Sequence, residues 1–160
     1  MNGQGALYLK AGSISAACFL CVCLCLYLIA FPRPADDLTE QYGPELQMAY
    51  ERYMAAVVIA CETGDMSKLE ESATGYVLDS AIEIASDENA EATAEWWKVE
   101  VSSLSVKEYY TDTARVLIYE RLIGDFSEGN APGGRAMIAW LRKEDGVWRV
   151  YRHESPKEGD

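Results

Sequence analysis

The chain has 160 residues, of which 49% are hydrophobic and 25% are charged. This length excludes two full-sized globular domains, and the apolar share excludes a disordered chain. All acidic residues follow Ala35, so the later part has 26 acidic against 12 basic residues, a net charge of −14. Such a charge repels phosphate backbones, and we expect no nucleic-acid partner.

An uncharged apolar segment spans residues 11–31, after a short amino-terminal segment at 1–10. At about 1.5 Å per helical residue it is long enough to cross a hydrocarbon core of about 30 Å. A cleaved signal peptide would have a shorter apolar centre and a small-residue exit, so this pattern predicts a retained transmembrane helix. Two positive charges, Lys10 and the terminal amine, precede the apolar segment, and one, Arg33, follows it. This excess of positive charge favours a cytoplasmic amino terminus. The sequence therefore predicts a single-pass protein of the cell membrane with an extracytoplasmic domain.

Cysteine is concentrated in this apolar segment, at positions 18, 21, 23 and 25. We interpret these residues as polarizable apolar side chains, with a metal, a cross-link or palmitate as the alternatives. Cys61 is the only cysteine of the remaining chain, so an internal disulfide is excluded there. Neither HExxH nor a CxxC outside the membrane segment is present, and we predict no metal site and no cofactor.

A proline-containing stalk at residues 32–37 precedes the predicted domain at 38–152. Apolar residues then recur every three or four positions, which predicts a long amphipathic helix. This helix is expected to end at Thr63-Gly64. Its apolar residues are Leu38, Tyr42, Leu46, Tyr50, Tyr53, Val57 and Cys61. The capping pattern at 67–70 begins a short second helix, and residues 76–86 form a third.

After an acidic linker at 86–95 the apolar period changes from 3.6 to 2, which indicates strands. Four segments show it, around residues 99–106, 114–122, 137–141 and 147–152. Asp145-Gly146 predicts a tight hairpin turn, and Trp148 is expected in the core. Helices followed by antiparallel strands predict an α+β domain whose helices cover one face of the sheet. His153 is expected in solvent, in a polar tail at 153–160.

The order of elements and three short motifs resemble the nuclear-transport-factor-2-like (NTF2-like) superfamily over residues 38–152. The motifs are the hairpin 144–150, Ala114-Arg115-Val116, and Thr63-Gly64-Asp65 followed by Leu69. The resemblance implies three helices packed on a curved sheet that forms a cone. Membrane-anchored members occur in secretion or conjugation channels, among Mce-associated proteins and in the intermembrane domain of plastid-division proteins. The resemblance to these implies an assembly module.

Glu120 is the one weak candidate for a catalytic residue. It shares strand parity with Val116 and Ile118, so it is expected to point into the space between sheet and helices. Family members that are enzymes pair an acid with a histidine or tyrosine in the cone, but a His153 in solvent would give no such dyad. The competing interpretation is a carboxylate paired with an arginine such as Arg142.

Two groups of residues are candidates for binding a ligand or partner. Trp96 and Trp97, expected to open the first strand with opposite facing, could form an aromatic lining with Trp140. Glu70 and Glu71 belong to an acidic helical region, residues 36–95, which has 15 acidic residues against Arg52 and Lys68. A further partner-binding alternative is the glycine-rich loop at 129–134.

These observations predict a membrane-anchored, non-enzymatic interaction or assembly module. Its expected partner is another protein or a second copy of the chain. The alternative is a small-molecule-binding protein, or an isomerase- or cyclase-like enzyme, that uses the sheet cavity with Glu120.

Overall fold

The structure, a computed structural model, describes residues 35–123 and 133–156. Its helices are α1 (Ala35–Thr63), α2 (Ser67–Ser72), α3 (Gly75–Ala85) and α4 (Ala90–Ala94), followed by a 3₁₀ turn at Glu95–Trp97. The strands are β1 (Val99–Tyr109), β2 (Thr113–Leu122), β3 (Arg135–Glu144) and β4 (Val147–Glu154). The predicted α+β order is confirmed.

Helix α1 is the central helix of the domain and packs along the sheet. Its predicted apolar stripe is buried, with Leu46, Tyr50 and Val57 fully inaccessible to solvent. The helix begins at Ala35, so residues 35–37, which we predicted as stalk, belong to its first turn. It ends where predicted, because Gly64 adopts a φ of +74° and its N–H donates to the carbonyl of Ala60.

The region predicted as an acidic linker is partly helical, which corrects the sequence interpretation. Helix α4 buries Ala90 and Ala94, while its acidic residue Glu91 is exposed. Alanine has the highest helix propensity, which favours a helix in this short segment. The two buried alanines pack this helix against the core. Trp96 and Trp97 therefore lie in a 3₁₀ turn and do not open the first strand.

The sheet is an antiparallel meander in the order β1-β2-β3-β4. One face packs on α1 and α3 and carries the buried side chains of Val106, Val116, Ile118, Leu141 and Val150. Two irregularities in β1, between Val101 and Ser103 and between Val106 and Glu108, interrupt its pairing with β2. Bulges of this kind increase twist and bend, which curves the sheet around the helices.

A third bulge, in β4, changes which residues face the helices. Leu141 pairs with Val150, whereas Trp140 pairs with Arg152, so Tyr151 is an extra residue without a pairing partner. The extra residue reverses the inward and outward alternation beyond it. As a result His153, paired with the buried Ala139, points inward. The prediction of a solvent-exposed His153 in a tail beginning at residue 153 is wrong, because β4 continues to Glu154.

The predicted hairpin between β3 and β4 is confirmed. Asp145 and Gly146 have φ of +51° and +80°, the signature of a type I′ turn, whose twist matches that of the flanking strands. Trp148, two residues later, is 2% exposed and belongs to the core, as predicted.

None of the helices described here is both long enough and apolar enough to cross a membrane. Residues 1–10, the apolar segment 11–31 with its cysteines, and residues 129–132 of the glycine-rich loop lie outside the described residues. The corresponding expectations stay predictions.

Candidate functional site

Glu120 on β2 is buried beneath α1 and forms a part-buried ion pair with an arginine that is 34% exposed. Its side chain is completely inaccessible, and Nε of Arg135 on β3 lies 2.6 Å from its Oε2. The Tyr50 hydroxyl, from α1, donates a hydrogen bond to the other carboxylate oxygen. The sequence interpretation of a carboxylate paired with an arginine is therefore confirmed, but the arginine is Arg135 and not the example Arg142, whose guanidinium lies 4.6 Å from the ring centroid of Tyr151.

Glycine at position 134 permits the close approach of β3 to Glu120. A Cβ at this position would lie 2.8 Å from the backbone oxygen of Glu120, which is shorter than real side chains tolerate. At the neighbouring Gly133 a Cβ would meet no atom within 4 Å. The close contact at Gly134 sets the start of β3, and with it the position from which Arg135 reaches Glu120.

His153 is enclosed by aromatic rings beside this ion pair. Its ring stands edge-on to Tyr50, Tyr53 and Trp97, with centroid distances of 6.5, 6.3 and 6.2 Å. Burial lowers the pKa of His153, with Glu120 acting to raise it and Arg135 to lower it. The imidazole is therefore neutral at neutral pH. Its Nε2 is buried and has no hydrogen-bond partner among the described residues.

We expect His153 to make the domain less stable in acid. Because its pKa is lower in the folded than in the unfolded protein, the unfolded chain binds more protons as the pH falls below about 6.5. The contribution of His153 to the unfolding free energy is therefore complete above about pH 6.5. It is lost as the pH falls toward the lower pKa that His153 has in the folded protein. Unfolding free energies measured from about pH 7.5 to about pH 5.5 should fall with a slope of at most ~1.4 kcal/mol per unit.

The matched variant for this prediction is His153→Phe, which retains an aromatic ring and cannot titrate. His153 is the only histidine of the chain, so the variant should show a flatter dependence over the same interval. Equal slopes for parent and variant would contradict the prediction.

A cavity of about 160 Å³ opens next to His153, between α3, the 3₁₀ turn and the end of β4. It is lined by Tyr53, Tyr76, Val77, Ser80, Ala81, Ile84, Trp97 and His153. Burial raises the pKa of Tyr53, so its phenol stays protonated. The lining contains no acidic residue, lysine or arginine, and both polar and apolar groups contribute to it.

This arrangement is suited to binding more than to proton transfer. Both oxygens of Glu120 are occupied by Arg135 and Tyr50, and neither is accessible to a substrate. A general base must come within hydrogen-bond reach of the proton that it removes. In the described part of the chain, no cluster of three or more His, Cys, Asp or Glu residues could hold a metal ion.

The structure separates the aromatic residues that were predicted to form one lining. Trp97 lines the cavity, whereas Trp96 is not among the lining residues and is 52% exposed. Trp140 lies on the outer face of the sheet, between the guanidinium groups of Arg115 and Arg152 at 5.6 and 4.6 Å from its ring centroid. The predicted common lining is therefore not formed.

The acidic candidates Glu70 and Glu71 are exposed on α2. Glu71 pairs with Lys68 at 3.0 Å, a surface ion pair that adds little stability. Both carboxylates are thus accessible to a partner.

Sequence reasoning missed Tyr50, Tyr53, Arg135 and His153 as parts of one site. The two tyrosines were assigned to the apolar stripe of α1. Because a buried tyrosine hydroxyl usually has a hydrogen-bond partner, two tyrosines in a buried stripe were a signal of a polar group inside the domain. Arg135 follows a loop of uncertain length, so its register with Glu120 could not be read from the sequence. His153 depends on the bulge at Tyr151, for which the sequence contains no clear signal.

No protein-family model matches the sequence, and no curated protein matches it either. A solved structure similar to this chain is that of a Campylobacter jejuni protein described as an NTF2-like transpeptidase. It is 14% identical, the match covers 75% of this chain and 99% of that chain, and the TM-score is 0.28. A TM-score of this size does not establish a shared fold.

Proposed function

We propose that the chain is a membrane-anchored, non-enzymatic protein-interaction module whose domain has an NTF2-like fold. The observation that carries the proposal is the state of Glu120, the residue best placed for chemistry. It is buried and held by Arg135 and Tyr50, which gives it a structural role.

The fold part of the proposal is supported by topology. A long helix and three shorter helices precede a bulged antiparallel meander, and the first three helices and the strands follow the order that the resemblance implies. The helices cover the inner face of the curved sheet, and the hairpin around Asp145-Gly146 places Trp148 in the core. The membrane part is supported by the uncharged segment 11–31.

The acidic helical region supports an interaction function. Residues 36–95 have 15 acidic against two basic residues, and Glu70 and Glu71 are exposed to solvent. Accessible charge of one sign favours encounter with a partner of the opposite sign and excludes partners of the same sign. We therefore propose a basic protein surface as the partner.

The anchor can be tested by carbonate extraction of membranes from cells that express the full chain. A retained helix at residues 11–31 should keep the protein in the membrane pellet, because its apolar length matches the hydrocarbon core. Deletion of residues 1–31 is the control and should release the chain. Release of the full-length chain, or a mature amino terminus beyond Phe31, would contradict the proposal.

Charge reversal separates the interaction proposal from the enzymatic alternative. Glu70→Lys with Glu71→Lys should weaken recovery of a cross-linked partner from membranes, since the reversed charges repel a basic surface. Glu108→Lys near the end of β1, with Asp112→Lys in the turn that follows, changes the net charge equally and should leave recovery unchanged. Glu120→Gln, compared at equal amounts of folded protein, should also leave it unchanged.

If the chain is an enzyme, Glu120→Gln should have the larger effect and the charge reversal on α2 the smaller one. Loss of a general base typically lowers a rate by about 100-fold or more, whereas remote surface charges matter little. Loss of the cellular phenotype in a well-folded Glu120→Gln variant, with the helix variant like the parent, would overturn the interaction proposal.

The cavity beside His153 favours a second candidate function, the binding of a small molecule. Its supporting observation is the cavity itself, which measures about 160 Å³ and is lined by Tyr53, Trp97, His153 and residues of α3. This differs from the alternative predicted from the sequence, because His153 and not Glu120 would contact the ligand.

A further inference from the structure

We propose that two copies of this chain form a two-fold symmetric dimer in which Arg52 of each copy pairs with Glu70 of the other. The inference rests on the proposed interaction function and names the partner as a second copy of the chain. The surface concerned lies between α1, α2 and the β3–β4 hairpin. We call it the Arg52 patch, and it consists of Arg52, Lys68, Glu70, Glu71, Val147 and Arg149.

A groove of about 270 Å³ forms the centre of the Arg52 patch and is lined by Arg52, Glu71, Val147 and Arg149. Backbone carbonyls hold both guanidinium groups. Nη2 of Arg52 donates to the carbonyl of Trp148 at 2.8 Å, and Nε of Arg149 donates to that of Glu71 at 3.3 Å. A guanidinium has several N–H donors in a rigid plane, so donors of Arg52 remain available for a carboxylate.

Arg52 differs from the other arginines of the domain in its partners. Every other arginine in the described ranges lies within 4.0 Å of a carboxylate oxygen. Arg52 is exposed and forms no ion pair with a described residue, in a chain that has 26 acidic residues. Since a guanidinium fork binds carboxylates best, a carboxylate from another molecule would complete this arginine.

A suitable carboxylate lies on the same patch. Glu70 is exposed on α2, directly before Glu71 of the groove, and its side chain has no ion pair or hydrogen bond within the described part of the chain. In a two-fold interface the same patch of both copies meets, so each contact between two residues occurs twice. A patch with one unpaired cation and one unpaired anion therefore satisfies both when it meets its own copy.

The Arg52 patch also supplies the basic surface that the proposed function requires. Residues 36–95 have only two basic residues, Arg52 and Lys68, against 15 acidic ones. Arg52 lines the groove, and Lys68 lies 3.0 Å from Glu71, another lining residue. Arg149 of β4 adds a third cation. The basic residues that would attract Glu70 thus lie beside it, on the surface that a second copy presents.

Apolar side chains add to the ionic contacts. Val147 of the groove is 37% exposed, and Met48, which precedes Arg52 by one helical turn on the same face of α1, is 64% exposed. Surface ion pairs alone contribute little, so burial of these side chains supplies part of the association free energy. Two copies anchored in one membrane would also meet at a raised effective concentration.

The experiment co-expresses two full-length copies with different affinity tags and measures how much of one copy is captured with the other in mild detergent. Arg52→Glu in both copies should lower the capture about tenfold or more, because carboxylates would then face each other. Glu70→Arg in both copies should lower it similarly, because guanidinium groups would face each other.

The decisive combination is one copy with Arg52→Glu and the other with Glu70→Arg. Each of the two contacts then again joins a carboxylate to a guanidinium, so the capture should return to the parent level. Circular dichroism checks that each variant is folded. Because the Glu70 side chain has no partner in the described ranges, Glu70→Arg alone decides if Arg52→Glu does not fold.

Two variants outside the Arg52 patch serve as matched controls. Lys107→Glu on β1 changes the net charge as Arg52→Glu does, and Glu91→Arg on α4 changes it as Glu70→Arg does. Neither should alter the capture, because only the local pairing differs between controls and test variants.

Three outcomes would overturn the inference. The first is that parent copies do not capture each other. The second is that a folded single variant leaves the capture unchanged. The third is that the mixed pair, with both variants folded, does not recover. If the Glu70 and Glu71 reversal prevents recovery of a cross-linked partner while capture between copies is unchanged, only this inference fails and the interaction function stands.

Discussion

Replacing Arg135 with methionine should destabilise the domain by about 2–3 kcal/mol, less than the usual cost of breaking a fully buried ion pair, because 34% of the Arg135 side chain is exposed and solvent screens its charge. The Glu120 carboxylate would remain fully buried, with the Tyr50 hydroxyl of α1 still donating a hydrogen bond to it. Urea unfolding followed by tryptophan fluorescence measures the effect, because all four tryptophans lie between residues 96 and 148.

The double variant Glu120→Leu with Arg135→Met is the matched control. It removes both charges and keeps similar volumes, so it should recover most of the lost stability. The resulting cycle gives the coupling between the two side chains. If Arg135→Met alone costs less than about 1 kcal/mol, the ion pair is not formed as described.

Trp148→Ala is expected to cost about 3–5 kcal/mol, the range for deleting a large aromatic side chain from a packed core. Trp148 is 2% exposed, its ring centroid lies 5.8 Å from that of Tyr109, and the Lys143 ammonium lies 5.3 Å from its ring. The same fluorescence-monitored unfolding measures the change. Trp96→Ala, at a 52% exposed position, should cost less than about 1 kcal/mol.

A second substitution tests how Trp148 is held. Its Nε1 is buried and has no hydrogen-bond partner in the described ranges. Trp148→Phe removes this N–H and keeps most of the ring contacts, so it should cost clearly less than Trp148→Ala. A loss within ~0.5 kcal/mol for the alanine variant would place Trp148 at the surface and contradict the facing of β4.

The sequence by itself determined the order of the main elements. The 3.6-residue period placed Tyr50 and Tyr53 on the buried side of α1, because a helix must turn its apolar stripe to the core. The 2-residue period placed Glu120 on the inward face of β2, and Asp145-Gly146 required a type I′ turn that leads to a buried Trp148. These are local consequences of periodicity and backbone preference, which neighbouring residues specify.

Only the tertiary structure decided which residues meet. Arg135, and not Arg142, reaches Glu120, because the antiparallel register of β2 and β3 pairs these two residues directly. His153 faces inward, because the bulge at Tyr151 reverses the alternation of β4. Pairing register and bulges arise between strands that are distant in sequence, so residue spacing along one strand cannot define them.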